Sequence, residues 1–308
     1  MNHLELAFTG KNNFWRYLVM IAAVFIASNT VGAIPLLIFG ALTLADNPDA
    51  INKLAENPSD MSALTQDPYS GLLSLLFPFI AGLIAFIILV KPINNRSFRM
   101  TVTGSPRIRW NHYFVSFVVW TFLSFLYLVM YMRVDPSNFF LNNASITLLY
   151  IAFMAVALIP FQAAFEEVLF RGYLMQGFAT IVGNRWFPLI MTSVLFGLLH
   201  GINPEVKEYG FFTMMPQYIL FGLIFGVATL LDDGAEIAMG AHAANNIFLV
   251  IMVTQKSSAL PTPALYEQLN INPWTEFTGL LLTGLVFILI MKVIFKWPKF
   301  SVLLTRIS

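Results

Sequence analysis

Charged residues are scarce in this chain, and cysteine is absent. Charged residues make up 11% of the 308 positions and hydrophobic residues 58%, whereas soluble domains carry about 25% charged residues. So few charges cannot cover the surface of one or two soluble domains, and no basic run indicates a nucleic-acid partner. The lack of cysteine excludes a disulfide framework, a thiolate metal site and a thiol nucleophile.

The apolar residues occur in long runs without charge. Lys, Arg, Asp and Glu are absent from 17–45, 68–90, 110–132 and 136–165, and a helix needs about 20 apolar residues to cross the hydrocarbon core. The sequence therefore predicts an all-α polytopic membrane protein in which residues 1–308 form a single transmembrane domain, with membrane lipid as a partner. About eight transmembrane helices are expected, at 14–40, 71–90, 112–132, 146–170, 187–201, 215–231, 237–255 and 276–296.

Basic residues are distributed unevenly between the predicted loops. Thirteen of the 17 Lys and Arg residues lie on the side that contains both chain ends. The loop at 46–67, on the other side, has five acidic residues against one Lys. Because cytoplasmic loops are enriched in Lys and Arg, the N- and C-termini are predicted to be cytoplasmic. The oligomeric state is left open.

Three clusters of polar residues interrupt the apolar segments. They are Phe-Glu-Glu-Val-Leu-Phe-Arg-Gly at 165–172, Phe-Gly-Leu-Leu-His at 196–200 and His-Ala-Ala-Asn-Asn at 242–246. An ionisable side chain inside a membrane costs at least ~2.5 kcal/mol on insertion scales, so such residues are candidates for function. Two of the four histidines of the chain lie in these clusters.

Helical spacing separates the roles within the first cluster. Glu167 and Arg171 are four residues apart and share a helix face, so they are expected to form an ion pair. Glu166 is rotated by about 100° from Glu167. It is therefore the less neutralised carboxylate and the better candidate for a general base.

The other two clusters supply an imidazole each and a carboxamide. His242 and Asn246 are four residues apart and can face one cavity, which His200 would join from another helix. In such a set the carboxylate takes a proton from water, a histidine orients that water, and Asn or His stabilises the oxyanion. Neither a Gly-x-Ser-x-Gly elbow nor a His-Glu-x-x-His zinc motif is present.

Structural roles compete with these assignments. The pair Glu167–Arg171 could serve only to pack helices, and a histidine in a membrane helix can simply bond a backbone carbonyl. Asn245 and Asn246 could join neighbouring helices, as polar residues in membrane bundles often do, and Asn245 is the stronger candidate for that role. Anchoring at the interface is expected for His112, and no role is assigned to His3.

The three clusters together resemble the signature of a known family. The order and spacing of Glu-Glu-x-x-x-Arg at 166–171, Phe-x-x-x-His at 196–200 and His-x-x-x-Asn at 242–246 are similar to those of the CAAX protease and bacteriocin-processing family, the Abi or type II CAAX prenyl endopeptidase group. The motif-bearing core covers about 146–255 and would form a four-helix catalytic core. The flanking helices match only in number and hydrophobicity.

The resemblance implies an intramembrane endopeptidase of eight helices whose site opens toward the cytoplasm. By that likeness Glu166 activates water, His200 and His242 complete the catalytic site, and Asn246 contributes to the oxyanion hole. The supporting residues would be Glu167, Arg171, Phe196 and Asn245. The implied substrate is a prenylated C-terminal tail or a leader-type peptide, that is, a peptide or a lipidated protein.

Metal dependence and two other functions stay open at this point. Family members are often described as metalloproteases, and zinc could be held by Glu166, His200 and His242, although the same residues suffice with no cofactor. A catalytically silent membrane scaffold or regulator of the same fold is an alternative, but no motif residue is lost. A proton-coupled transporter is a further alternative, although the internal repeats common in such folds are not found in the sequence.

Overall fold

A computed structural model describes residues 2–52, 64–65, 67–142 and 146–307. Its α-helices, in chain order, are α1 Phe14–Thr30, α2 Ile34–Asp46, α3 Pro68–Asn94, α4 Phe98–Val102, α5 Trp110–Val134, α6 Ile146–Glu167, α7 Met175–Val182, α8 Trp186–Leu199, α9 Pro204–Tyr209, α10 Phe211–Asp232, α11 Glu236–Met252 and α12 Pro273–Ile294. A π-helical turn, Val168–Leu174, joins α6 to α7. Short 3-10 helices occur at Glu5–Thr9, Pro136–Asn138, His200–Ile202 and Phe300–Leu304.

Each of the eight predicted spans corresponds to one apolar helical segment, although several ends differ. Within the described residues, six helical segments are long and apolar enough to cross a membrane: Phe14–Asp46, Pro68–Asn94, Trp110–Val134, Ile146–Val182, Phe211–Asp232 and Pro273–Ile294. Two shorter apolar segments, Trp186–Ile202 and Glu236–Met252, complete the set. The predicted fold class, an all-α polytopic membrane protein, is confirmed.

The fourth apolar segment is longer than the sequence indicated. It was predicted to end at 170, but the helix continues through the π-helical turn and α7 to Val182. Gly183, at φ 63°, then ends it in the left-handed conformation that glycine adopts without strain. Arg171 suggested an earlier end because a lone charge normally marks the membrane boundary. Its guanidinium is instead buried and paired with Glu167 inside the protein.

Chain segments between the helices gather at two opposite ends of the bundle. The first, here called the basic face, comprises 2–13, 95–109, 183–185, 233–235 and 295–307. Backbone hydrogen bonds join its parts, from Gly104 N to Asp233 O at 2.9 Å and from Ile307 N to Gly183 O at 2.9 Å.

The other end, here called the sheet face, comprises 139–142, 200–210 and 253–272. It carries a three-stranded sheet in the order β1-β3-β2, where β1 is Phe139–Leu141, β2 is Val253–Thr254 and β3 is Tyr266–Gln268. Strand β3 pairs antiparallel with β1 and parallel with β2. The sheet therefore ties the loop before α6 to the segment between α11 and α12.

Helix α11 lies at the centre of the bundle. Its residues are buried from Glu236 to Ala244, and it packs against α5 and α6. Gly240 allows the close approach to α5, because a Cβ there would collide with the Tyr113 carbonyl and the Ser116 hydroxyl. The outer surfaces of the other helices expose large apolar side chains such as Phe25 and Phe153. A bilayer solvates those surfaces, so close packing and hydrogen bonds hold the helices together.

Candidate active site

The predicted catalytic residues line one cavity among the helices. The cavity has a volume of about 320 Å³, and its wall includes Glu166 from α6, His200 at the end of α8, and His242 and Asn246 from α11. Phe196 and Asn245 also line it. Glu167 and Arg171 lie directly behind this wall and are fully buried. The structure therefore brings the three clusters together.

Glu166 presents one carboxylate oxygen to the cavity. Its Oε1 accepts a hydrogen bond of 2.7 Å from Gln162 Nε2, one turn earlier in α6. Its Oε2 is buried with no hydrogen-bond partner among the described residues. That oxygen lies 3.6 Å from His242 Nε2. An unpartnered buried acceptor is costly in a purely structural setting, so this geometry favours a role in binding water or substrate.

His242 is oriented by the second glutamate. Its Nδ1 lies 2.8 Å from Glu167 Oε1, and the same oxygen accepts from Arg171 Nη1 at 3.0 Å. Because a carboxylate can only accept, Nδ1 is the donor, and the Nδ1-protonated tautomer offers Nε2 as an acceptor on the side of Glu166. The predicted Glu167–Arg171 ion pair is present, and it also fixes the tautomer of His242.

Arg171 is held in an apolar setting by several weaker contacts. Its guanidinium carbon lies 4.3 Å from the ring centroid of Phe196, which is a cation–π contact. Its Nη2 donates to the carbonyl of Gly222 on α10 at 3.4 Å. Phe196, which the family motif carries four residues before His200, thus packs on the cation behind the site.

His200 bonds a backbone carbonyl, as expected of a structural histidine, and it also lines the cavity, as expected of a catalytic one. Its Nδ1 lies 2.7 Å from the carbonyl of Phe196, and a carbonyl only accepts, so Nδ1 is the donor. Its ring stacks on Tyr218 with centroids 4.6 Å apart. Neutral His200 therefore has Nε2 as its remaining acceptor, and this nitrogen becomes a donor when the ring is protonated.

Asn246 belongs to a hydrogen-bonded chain that reaches Glu166. Its Nδ2 donates to Gln162 Oε1 at 3.0 Å, and Gln162 in turn donates to Glu166. Asn245 donates to Asn246 Oδ1 at 3.1 Å and accepts from Trp120 Nε1 of α5 at 3.3 Å. Asn245 thus joins α11 to α5, the helix-joining role expected for it.

Gln162 is the nearest site residue that the sequence analysis missed. It lies four residues before Glu166 in an apolar run, so the same spacing argument that paired Glu167 with Arg171 would have found it. The cavity wall also contains nine other polar residues outside the motifs, namely Asn203, Glu205, Gln217, Tyr218, Thr254, Gln255, Ser258, Gln268 and Glu276. No local pattern marks these residues, because packing between distant segments brings them together.

His3 was given no role in the sequence analysis, and the structure corrects this. Only 1% of its surface is exposed, and its Nε2 lies 3.1 Å from the carbonyl of Arg171. Its backbone N–H donates to Asp233 Oδ1 at 2.5 Å, and its carbonyl accepts from Gln176 Nε2 at 2.7 Å. Burial lowers the pKa of His3 below its ordinary value. The N-terminal segment is thus fastened beneath the site at the basic face.

His112 has the anchoring contacts that were expected. Its Nδ1 lies 2.9 Å from Asp232 Oδ2, and its ring stacks on Phe295 with centroids 3.9 Å apart. These contacts tie the start of α5 to the end of α10 and to the C-terminal segment.

The side chains of the cavity do not form a metal site in this arrangement. No three His, Asp or Glu side chains in the part of the chain described here are placed so that they could hold a metal ion. Zinc was considered at Glu166, His200 and His242, and these three side chains therefore do not fit a zinc ion in this arrangement. Glu167 and the Phe196 carbonyl hold the two histidines at Nδ1.

Fold and cavity together define a class of protein: a polytopic helical membrane protein with a buried Glu–His–Asn site. Residues 147–248, which contain all three motifs, match the family of the type II CAAX prenyl endopeptidase Rce1-like proteins. The motif-bearing segment is thus similar to this family, and the resemblance predicted from the motifs is confirmed.

A relative extends over nearly the whole chain. It is "Uncharacterized protein YyaK" of Bacillus subtilis (strain 168), 28% identical over 290 residues, which cover 93% of this chain and 94% of that protein. No solved structure matches the chain.

Proposed function

We propose that the protein is an intramembrane endopeptidase that hydrolyses a peptide bond of a membrane-associated substrate. The observation that carries this proposal is the pair of acceptors in the cavity, Glu166 Oε2 and His242 Nε2, 3.6 Å apart. The match of residues 147–248 to the type II CAAX prenyl endopeptidase Rce1-like family agrees with it.

The pair is arranged to activate one water molecule. A water molecule that bridges the two acceptors from the cavity side donates one hydrogen to Glu166 Oε2 and the other to His242 Nε2, which leaves an oxygen lone pair for the substrate carbonyl. As the new C–O bond forms, Glu166 takes the proton, and it passes the proton to the leaving amine when the C–N bond breaks. The chain Asn246–Gln162–Glu166 keeps Oε1 occupied, so Oε2 acts as the base.

Asn246 is suited to stabilise the oxyanion. One N–H of its amide is used by Gln162, and the second is left to donate to the oxygen of the tetrahedral intermediate. His200, once protonated, can donate from Nε2 to the same oxygen or to the leaving amine. Glu167 and Arg171 are positioning residues, because they reach the reaction only through the orientation of His242.

Water activation by Glu166 and His242 needs no metal, so we propose a metal-independent reaction. The test is cleavage of free, prenylated and leader-type peptides by the purified protein in detergent, with and without a chelator. Cleavage that survives the chelator supports the proposed route, and cleavage that zinc restores after chelation contradicts it.

Glu166→Gln is the decisive variant. It keeps the size of the side chain but removes the base, so cleavage should fall by about 100-fold or more. The matched control is Glu208→Gln, the same chemical change at an exposed position of α9, which should cleave like the unsubstituted protein. Equal activity of the two variants would rule out Glu166 as the base. Folded protein that cuts none of the peptides would favour the scaffold function.

We further propose that the basic face is cytoplasmic, so that both chain ends are inside. The support is the concentration of Lys and Arg at that face, which the positive-inside tendency places in the cytoplasm. The sheet face would then be extracytoplasmic.

A further inference from the structure

The cavity extends from the catalytic cluster toward one end of the bundle only. Beyond His200 its wall is formed by Asn203 and Glu205 at the sheet face, and then by Gln255 and Ser258 of the segment after α11. Gln268 of β3 also contributes. Among the described residues, none from the basic face lines the cavity.

The opposite side of the site is closed by packed side chains. Glu167 and Arg171 lie behind His242, and His3 contacts the Arg171 carbonyl from the basic face. These three residues and the neighbouring Gln176 are at most 1% exposed. His242 lies six residues into α11, about 9 Å from its start, yet a continuous layer of contacts separates it from the basic face.

The sheet face holds the wall of the cavity together. Glu205 Oε1 accepts a hydrogen bond of 2.8 Å from Ala259 N, which ties α9 to the segment after α11. Burial raises the pKa of Glu205 above its ordinary value. Asn142 on the far side of the sheet bonds Leu265 and Ala264. These contacts tie the segments of the sheet face to one another.

The cavity wall offers acceptors for peptide N–H groups. The Oε1 atoms of Gln217 and Gln255 are buried and have no hydrogen-bond partner among the described residues, and both residues line the cavity. Such acceptors suit an extended peptide, whose backbone N–H groups would satisfy them. Phe196 and Phe221 add aromatic surface to the same wall.

We propose that the cavity takes its substrate from the extracytoplasmic side. The substrate would be a peptide segment of a secreted or membrane protein presented at the sheet face, in place of a prenylated tail presented in the cytoplasm. This inference rests on the proposed endopeptidase function and on the proposed orientation. It departs from the cytoplasmic opening that the family resemblance implies.

The absence of cysteine makes a direct test practicable, because each introduced thiol is unique. Three full-length variants are compared in intact cells with a membrane-impermeant maleimide. Ser258→Cys lies in the cavity wall, Leu269→Cys lies exposed at the sheet face and Ser301→Cys lies exposed at the basic face. Ser257→Cys, beside the cavity residue, serves as the second variant if Ser258→Cys does not fold.

We expect labelling in intact cells for Ser258→Cys and Leu269→Cys. Ser301→Cys should be labelled only after permeabilisation. The reverse pattern would overturn the inference, and so would labelling of Leu269→Cys with a protected Ser258→Cys. This readout does not need activity, so the inference and the proposed function can fail separately.

The substrate side is tested with a peptide that the purified protein cuts. Given to intact cells, a membrane-impermeant form of that peptide should be cleaved, and cells that carry Glu166→Gln are the matched control for other proteases. Cleavage that appears only after permeabilisation would show that substrate enters from the cytoplasm.

Discussion

Removal of one charge from the pair behind the site should destabilise the protein more than removal of both. Glu167 and Arg171 are 3.0 Å apart, and both side chains have no exposed surface. In Glu167→Gln the Arg171 cation stays buried without its counter-ion, which costs about 3–5 kcal/mol of unfolding free energy in comparable pairs. Replacement of both charges, in Glu167→Gln with Arg171→Met, leaves no uncompensated charge and should recover most of that loss.

The measurement is a double-mutant cycle on the free energy of unfolding, by titration with SDS in mixed micelles. Four proteins are needed: the unsubstituted chain, Glu167→Gln, Arg171→Met and the double variant. Contacting residues normally show coupling energies of about 0.5–3 kcal/mol, and the full burial of this pair puts the expected value at the upper end. Glu208→Gln at the surface is the control and should change the free energy by less than about 0.5 kcal/mol.

The same variants separate stability from activity. In the double variant His242 loses the charged acceptor at Nδ1, so peptide cleavage should stay low although stability returns. Single variants as stable as the unsubstituted protein would refute the reasoning, since they would show that Arg171 is solvated or finds another counter-ion. A double variant with full activity would show that Glu167 does not set the tautomer of His242.

Two further predictions concern Gln162 in the cavity wall and His3 beneath the site. Gln162→Leu removes the donor to Glu166 Oε1 and the acceptor of Asn246. Because one charge-assisted hydrogen bond is worth about 1.5–3 kcal/mol, kcat should fall at least about 10-fold. An unchanged kcat in Gln162→Met would contradict this. His3 has a folded pKa lowered by burial, so the unfolded chain binds its proton first as pH falls below about 6.5. Lowering the pH from 7 to 5.5 should therefore lower the midpoint of thermal unfolding less in His3→Gln than in the unsubstituted protein. Equal decreases in the two proteins would count against a buried neutral histidine beside Asp233.

Much of the fold could be predicted from the sequence because the bilayer imposes a simple rule. The hydrocarbon core demands runs of about 20 apolar residues, so the charge-free stretches marked the spans. Charges inside those spans are costly, so the few that occur pointed to the site. The rule failed at Arg171, where internal pairing with Glu167 hides a charge in mid-helix and the predicted end at 170 came twelve residues before Val182.

Local spacing also predicted the contacts that a single helix decides. Residues four apart share a helix face, and this gave the Glu167–Arg171 pair and the common orientation of His242 and Asn246 toward the cavity. The same rule applied to Gln162 and Glu166 would have completed the chain. The motifs then indicated the family resemblance, because their order is a property of the sequence alone.

Tertiary structure alone decided where the cavity leads and what closes it. Phe140 pairs with Glu267 across more than a hundred residues, Glu205 bonds Ala259, and His3 reaches Arg171. Such contacts depend on how distant segments pack, and neither periodicity nor composition encodes them. The sequence by itself determined the membrane class, the spans and the candidate site residues, since these follow from local burial and helical period. The access route follows from non-local packing, which only the folded chain reveals.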